Sequence, residues 1–191
     1  MNQSEFDSSD EEMSKDEQTP LELSWLSLEP VNYAHILGIG ALPEEIKKLD
    51  IQDVFIFCTT SELSYYRVPT LIQEYRKQDI VVHHYPFLDG DVPELDTCHK
   101  ILENLKTSMD NSRKTLIHCY GGLGRSCVIA ACLLLWLDDK MTPEEAINLV
   151  RATRGRGAIQ TVKQYNFVNE FRENMCHSRL PSEESRQSLS R

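Results

Sequence analysis

Short apolar runs alternate with segments of helical periodicity along most of the chain. Runs such as Val-Phe-Ile-Phe at 54–57 are continuously apolar, which is typical of strands buried on both faces, whereas the segments between them carry apolar residues every three or four positions. The pattern predicts strands over residues 33–39, 53–58, 80–84 and 114–118. It predicts helices over residues 44–49, 68–77, 94–109, 125–138 and 159–175, and one more that begins at the N-cap Thr142.

This alternation predicts an α/β fold with a central, mainly parallel sheet flanked by helices. In such sheets, ligands bind beyond the carboxyl ends of the strands, so functional residues are expected directly after strands. The charged, apolar-poor residues 1–20 are predicted to be a disordered acidic tail, and residues 178–191 a flexible one. The domain is therefore predicted to span residues 21–177.

Composition narrows the partners of this domain. The 191 residues carry a formal charge of −10, and residues 1–20 hold seven acidic side chains against Lys15 alone. That excess of negative charge argues against nucleic acid as a partner. The longest apolar run, 128–137, is about half the ~20 residues that a membrane-spanning helix needs, so it is predicted to be a buried core helix. The six cysteines lack metal-ligand spacing and the chain starts without a basic-then-apolar leader, which indicates a reducing compartment.

A cysteine follows the last predicted strand and enters a glycine-rich loop. In the sequence TLIHCYGGLGRS, an apolar run leads to Cys119 and a helix starts near Arg125. Gly121, Gly122 and Gly124 allow consecutive N–H groups to point inward, so the loop and the helix N-terminus can form an anion nest. Arg125 adds a planar fork for two phosphoryl oxygens, and the same positive features favour a thiolate at Cys119. The loop lacks the Gly-Lys-Ser/Thr of nucleotide P-loops.

The pattern Cys-x5-Arg-Ser, with His before the Cys, resembles the signature of the protein tyrosine and dual-specificity phosphatases. The resemblance implies a cysteine-phosphatase fold and a cysteinyl-phosphate intermediate on Cys119, with no metal and no cofactor. It also implies that Arg125 and the rest of the loop bind the substrate phosphate, namely Tyr120, Gly121, Gly122, Leu123 and Gly124.

The same resemblance requires a general acid on a nearby loop. Asp89 lies in the Pro/Gly-bounded loop 85–93, after the predicted strand 80–84, and thirty residues before Cys119, as the family's acid commonly does. Asp89 is expected to protonate the leaving oxygen and then to activate the hydrolytic water. Asp91, in the same loop, is the competing candidate.

Three further residues have a role implied by the resemblance and a simpler alternative. Ser126 resembles the hydroxyl that helps the sulfur leave, or is a cap or first-turn serine. His118 is expected to hydrogen-bond around the loop and tune the thiolate, or is a buried structural histidine. Gln160 matches a glutamine that places the hydrolytic water in some members, or merely starts a helix. The preceding arginines, Arg151, Arg154 and Arg156, add positive charge that could attract a phosphorylated or acidic substrate, and solvated positions at a helix end are the simpler interpretation.

The resemblance extends over nearly the whole chain. The segments SEFDSSDEE, SWLSL and GAIQTVKQYNF resemble a kinase-directed branch of this family. This implies that the partner and substrate is a phosphorylated cyclin-dependent kinase, dephosphorylated on its activation-loop threonine as a restraint on the cell cycle. The expected location is cytoplasmic, perinuclear or nuclear.

Two other functions compete with a protein phosphatase. A phosphatase for a non-protein phosphoester such as a phosphoinositide would favour extra basic residues in the loop, where Tyr120 and Leu123 stand. A non-catalytic kinase-binding inhibitor module would be expected to lack Cys119, Arg125 or Asp89, and all three are present. The sequence therefore favours an active protein phosphatase.

Overall fold

The computed structural model describes residues 23–41 and 46–178. Five strands are β1 Leu23–Ser27, β2 Ile36–Gly40, β3 Asp53–Ile56, β4 Val81–His84 and β5 Thr115–His118. Six α-helices are α1 Thr60–Tyr65, α2 Leu71–Lys77, α3 Leu95–Asp110, α4 Arg125–Leu137, α5 Pro143–Arg154 and α6 Val162–Ser178. Two short 3₁₀ turns cover Glu29–Val31 and Lys47–Leu49.

The strands form one sheet in the order β1-β2-β5-β3-β4. β2, β5, β3 and β4 run parallel, and β1 pairs antiparallel with β2 at the edge. Every residue of β3 and β5 is buried, including the polar residues Asp53, Thr115 and His118 at their ends. The predicted α/β fold with a mainly parallel sheet is confirmed, and β5 lies at its centre.

Two elements were missing from the sequence-based prediction. β1 has the sequence LSWLS and only one fully buried residue, so its pattern is weak, and its position comes from pairing with β2. Helix α1 begins after a reciprocal capping box, in which the side chains of Thr59 and Glu62 each accept from the other's backbone N–H. That Thr-x-x-Glu signal was present in the sequence.

Two predicted helix starts shift for local reasons. α2 begins at Leu71, beyond Pro69, and α6 begins at Val162, because Ile159 has a φ of 62° that no helix continues. Residues 44 and 45 of the predicted helix 44–49 lie outside the described residues, as do the predicted tails except for residue 178. Residues 47–49 form a 3₁₀ turn.

Helix α4 forms the centre of the helical layer. Eleven of its thirteen residues are buried, and it packs against α3, α5 and α6. Its C-terminal end is satisfied by Arg172 of α6, which donates to the carbonyls of Leu135, Asp138 and Met141. In the part of the chain described, no helix is both long and apolar enough to cross a bilayer.

A buried carboxylate links the start of β3 to β4 and to the segment just before β5. Asp53, 2% exposed at the start of β3, accepts from His83 Nε2 at 3.0 Å and from Arg113 Nε. Burial alone would raise the pKa of Asp53, but the hydrogen bonds from His83 and Arg113 hold it below its ordinary value. The ionised carboxylate therefore stabilises this end of the sheet.

Replacing this carboxylate should destabilise the fold in a pH-dependent way. Because the pKa is lower in the folded state, the stabilisation is complete above the unfolded value near 4 and is lost as pH falls through the folded pKa. We expect Asp53→Asn to lower the free energy of unfolding at pH 7 by about 2 kcal/mol, and the gap to narrow in acid. Urea unfolding from pH 7 to pH 3 measures this. The control Glu74→Gln, which breaks the exposed pair with Lys77, should change little; a gap independent of pH would contradict the assignment.

Candidate active site

Cys119 lies directly after β5, at the carboxyl edge of the sheet between β2 and β3. It is 2% exposed, beneath a loop that ends where α4 begins. Two other cysteines lie nearby, and burial raises the pKa of Cys58 and of Cys127 to about 12. Both therefore remain thiols at neutral pH.

The loop after Cys119 presses against the end of β2. Gly122 has a φ of 66°, and a Cβ added there would lie 2.4 Å from the carbonyl carbon and oxygen of Gly40 and 2.7 Å from the nitrogen of Ala41. At Gly121, by contrast, an added Cβ meets nothing within 4 Å. The backbone therefore requires glycine at 122 but not at 121.

Groups from the α5–α6 region hold the outward-facing carbonyls of the loop. Arg154 donates from Nη2 to the Gly121 carbonyl at 3.1 Å and from Nε to the Gly122 carbonyl at 3.2 Å, and Ile159 N–H donates to the Leu123 carbonyl at 2.8 Å. In a trans peptide, the N–H points opposite to the C=O. The N–H groups of the next three residues are thus turned inward, as an anion nest requires.

Arg154 is not the solvated helix-end residue that the sequence suggested, because it is 9% exposed. Arg151 also departs from that expectation and donates to the carbonyl of Ala158, whereas Arg156 is exposed. Ile159 is a β-branched residue in the left-handed region, a conformation that costs about 1 to 3 kcal/mol. The hydrogen bond to Leu123 helps to hold it there.

Arg125 is fully buried and bonded to three parts of the fold. Its two terminal nitrogens donate to both carboxylate oxygens of Glu62, at 2.9 and 2.6 Å, and Nη1 also donates to the carbonyls of Phe57 and Phe87. Burial would lower the pKa of Arg125, but the hydrogen bond with Glu62 raises it, so the guanidinium stays charged. The fork expected to grip phosphate faces Glu62 instead, and Nε has no partner among the described residues.

The loop 85–93, named the acid loop here because it holds Asp89, brings Asp89 close to the guanidinium of Arg125. Asp89 Oδ1 lies 3.3 Å from Nη2 of Arg125, and the Asp89 side chain is 66% exposed. Asp91 instead accepts from Lys163 Nζ at 2.5 Å, an interaction that holds the pKa of Asp91 below its ordinary value. Its carboxylate also accepts from the N–H of Val92. The structure places Asp89 beside the loop and commits Asp91 to another contact.

His118 and Ser126 are both fully buried beside the nucleophile. His118 Nδ1 lies 3.4 Å from the carbonyl oxygen of Cys119, and desolvation lowers the pKa of His118 to about 4, so its ring is neutral. Ser126 lies in the first turn of α4, where Gly124 is the N-cap residue, so Ser126 does not cap the helix. Its Oγ has no hydrogen-bond partner within the described part of the chain.

Two glutamines lie against the last glycine of the loop. A Cβ added at Gly124 would approach Gln160 Oε1 to 2.8 Å and Gln164 Nε2 to 3.1 Å. Gln164 is fully buried, accepts from the N–H of Gln160 at 3.0 Å and donates to the carbonyl of Asp91 at 3.2 Å. Gln160 therefore lies at the phosphate loop, and Gln164 links it to the loop 85–93.

Sequence reasoning missed three residues that support this site. Glu62 could have been found by the capping box of α1, and Gln164 by its spacing of four from Gln160, which is one helical turn. Arg154 carries no local signal, because its burial depends on how α5 packs beside the loop.

Comparison with known proteins identifies the family. A sequence model of the cyclin-dependent kinase inhibitor 3 family matches residues 1–147. This chain belongs to the cyclin-dependent kinase inhibitor 3 family. The curated member from Homo sapiens is 51% identical over 203 residues, covering 98% of this chain and 96% of that protein. The member from Rattus norvegicus is 53% identical over 188 residues, covering 91% and 89%.

More distant relatives and solved structures agree with this assignment. Protein tyrosine phosphatase type IVA 3 of Bos taurus is 32% identical over 136 residues, which cover 70% of this chain and 72% of that protein. A crystal structure of kinase-associated phosphatase, with its catalytic-site cysteine changed to serine, matches with a TM-score of 0.81 and 51% identity over 84% of this chain and 98% of that one. The predicted cysteine-phosphatase fold is confirmed, and this family member is a protein phosphatase.

The contrast between two adjacent glycines is testable. Gly122→Ala places a Cβ within 2.4 Å of fixed backbone, in a conformation that L residues rarely adopt, so we expect a loss of about 2 kcal/mol or more in the free energy of unfolding. Gly121→Ala is the matched control and should change stability by less than about 0.5 kcal/mol. Chemical denaturation measures both; equal losses would contradict the close approach to Gly40.

Removing the arginine behind the loop should weaken phosphate binding. In Arg154→Met, the Gly121 and Gly122 carbonyls lose the guanidinium donor, and the Cys127 thiol still donates to Gly122. The inward N–H groups are then held less firmly. We expect the KM for a small aryl phosphate and the inhibition constant of inorganic phosphate each to rise about tenfold, equivalent to ~1.4 kcal/mol. The control Arg156→Met, at an exposed position, should leave both constants unchanged. An unchanged KM and an unchanged inhibition constant in Arg154→Met would show that the loop keeps its conformation without the hydrogen bonds from Arg154.

Proposed function

We propose that this protein removes the phosphate from the activation-loop threonine of a cyclin-dependent kinase and thereby restrains the cell cycle. The observation that supports this most directly is the presence of the thiol, the guanidinium and the acid of a phosphatase in a chain 51% identical to kinase-associated phosphatase. The partner is a phosphorylated cyclin-dependent kinase, as the name of the curated relatives suggests.

In the first step, the Cys119 thiolate attacks phosphorus and the phosphorus–oxygen bond to the substrate breaks. The charge that develops on the phosphoryl oxygens meets the inward N–H groups of residues 122–124 and the α4 N-terminus. Arg125 adds a buried positive charge, and its Nε is a donor that no group among the described residues uses. Asp89 gives its proton to the leaving oxygen.

In the second step, water attacks the cysteinyl-phosphate and the sulfur leaves. Asp89, now ionised, takes a proton from the water. Gln160, held at Gly124 by its contact with Gln164, orients that water. Ser126 Oγ donates to the departing sulfur, a role for which its lack of another partner in the described residues leaves it available. His118 is neutral and orients the Cys119 backbone through its carbonyl.

The two competing functions have less support. The loop presents the neutral side chains of Tyr120 and Leu123 instead of further basic residues, which favours a protein substrate over a phosphoinositide. A non-catalytic inhibitor would not need Asp89 within 3.3 Å of Arg125. We also propose a cytoplasmic, perinuclear or nuclear location, which the six free cysteines support because a reducing compartment keeps thiols free.

Paired aspartate variants test the assignment of the acid. Asp89→Asn keeps the shape of the side chain but cannot donate a proton, so we expect kcat for phosphothreonine peptides to fall by about 100-fold or more. Asp91→Asn is the control from the same loop and should retain at least about a third of the activity, since its carboxylate serves Lys163. A larger fall in Asp91→Asn than in Asp89→Asn would reverse the assignment.

Trapping identifies the substrate and separates catalysis from inhibition. Cys119→Ser retains the pocket and lacks the nucleophile, so it should retain phosphorylated cyclin-dependent kinases and release them when excess phosphate is added. The same kinases without phosphate should be retained less. If Cys119→Ser retained phosphorylated and unphosphorylated kinases equally, and the natural protein hydrolysed no phosphoester, the non-catalytic inhibitor module would be favoured.

A further inference from the structure

Three tyrosines form an exposed aromatic cluster beside the phosphate loop. Tyr120 follows Cys119 directly and is 46% exposed. Its ring stacks on that of Tyr66, with centroids 3.8 Å apart and planes 9° from parallel. Tyr65, 80% exposed, meets the Tyr66 ring edge on. Large apolar rings gathered at a surface mark contact sites, and this cluster is continuous with the catalytic loop.

The stacked pair is held by the same helix that holds Arg125. Glu62 and Tyr66 are four residues apart, and Tyr66 N–H donates to the Glu62 carbonyl at 2.8 Å, so both side chains lie on one face of α1 and its C-cap. Glu62 reaches Arg125 at one end of the phosphate loop, and Tyr66 reaches Tyr120 at the other. The Tyr120 ring is thereby fixed on one face, and its exposure comes from the opposite face and its edge.

The surroundings of the pair favour planar and cationic groups. Burial, Tyr120 and the negative charges of Glu62 and Asp89 raise the pKa of Tyr66, so its phenol is neutral. The face of a tyrosine ring carries the negative side of its quadrupole. A flat guanidinium or an aromatic ring stacks well on such a surface. A carboxylate there would meet the repulsion of Asp89, which is largely exposed on the facing loop.

We propose that the Tyr66–Tyr120 pair is a docking platform for the substrate residue next to the phosphorylated one, and that it selects a planar side chain, an arginine or an aromatic residue, at that position. This rests on the proposed function, because the phosphoryl group must enter the Cys119 loop. The substrate chain then leaves the pocket over its rim, which Tyr120 forms because it follows the nucleophile. Tyr66 acts as a positioning residue through the stack.

Steady-state kinetics on matched phosphothreonine peptides test the platform. The three peptides carry arginine, tyrosine or alanine beside the phosphothreonine. A small aryl phosphate, which has no neighbouring residue, reports the chemical steps alone. We expect the natural protein to have a lower KM for the peptides with arginine or tyrosine beside the phosphothreonine than for the peptide with alanine. Tyr66→Ala should reduce that preference about 3- to 10-fold, as expected for one aromatic contact, with kcat and aryl phosphate turnover unchanged. Tyr66→Phe should restore the preference because it keeps the stack.

The controls separate the outcomes. Tyr65→Ala removes an exposed ring but leaves the stack, and it should retain the preference. The proposal is overturned if Tyr66→Ala keeps the preference, or if it lowers aryl phosphate turnover as much as peptide turnover, because Tyr66 would then only brace the loop. Failure of the proposed function has a separate result: Cys119→Ser would hydrolyse the aryl phosphate as well as the natural protein does. Peptide binding to Cys119→Ser, measured by fluorescence anisotropy, still reports on the platform in that case.

Discussion

The buried guanidinium of Arg125 is the interaction on which the rest of the site depends. Removing such a charge from water is costly unless it is compensated, and here Glu62, the Phe57 carbonyl and the Phe87 carbonyl accept hydrogen bonds from its two terminal nitrogens. These partners come from α1, the end of β3 and the acid loop. Because one cation requires all three, the pocket, its bracing helix and its acid are assembled together.

The shape of the phosphate loop depends on hydrogen bonds to its carbonyls from residues outside the pocket. A loop of small residues has little intrinsic stiffness, and its N–H groups converge only if its carbonyls are occupied elsewhere. Arg154 and the Ile159 N–H meet that need from outside the pocket. The strained conformation of Ile159 is stabilised by the same contact and delivers Gln160 to the loop, so backbone strain and function coincide at this position.

The residues that could be predicted were those with short-range patterns. The strand-to-helix transition at Cys119 and Arg125 lies within twelve consecutive residues, and the predicted N-cap at Thr142 is confirmed. Asp89 followed from its place after a strand and from resemblance, whereas its preference over Asp91 is supported by the Lys163 contact. Arg154 was interpreted wrongly because an arginine at the end of a helix looks solvated until the neighbouring loop is placed against it.

The sequence by itself determined the class of fold and predicted Cys119 as the nucleophile and the loop after it as the anion site, because each depends on residues adjacent in the chain or on periodicity within one element. Only the tertiary structure decided which distant groups meet that loop. Glu62 lies 63 positions from Arg125, and Tyr66 stacks on a tyrosine from another element. Such pairs depend on the order of strands in the sheet and on the packing of helices around it, which no local pattern encodes. The glycine-rich loop therefore identifies the chemistry, and the contacts around it set the geometry in which that chemistry takes place.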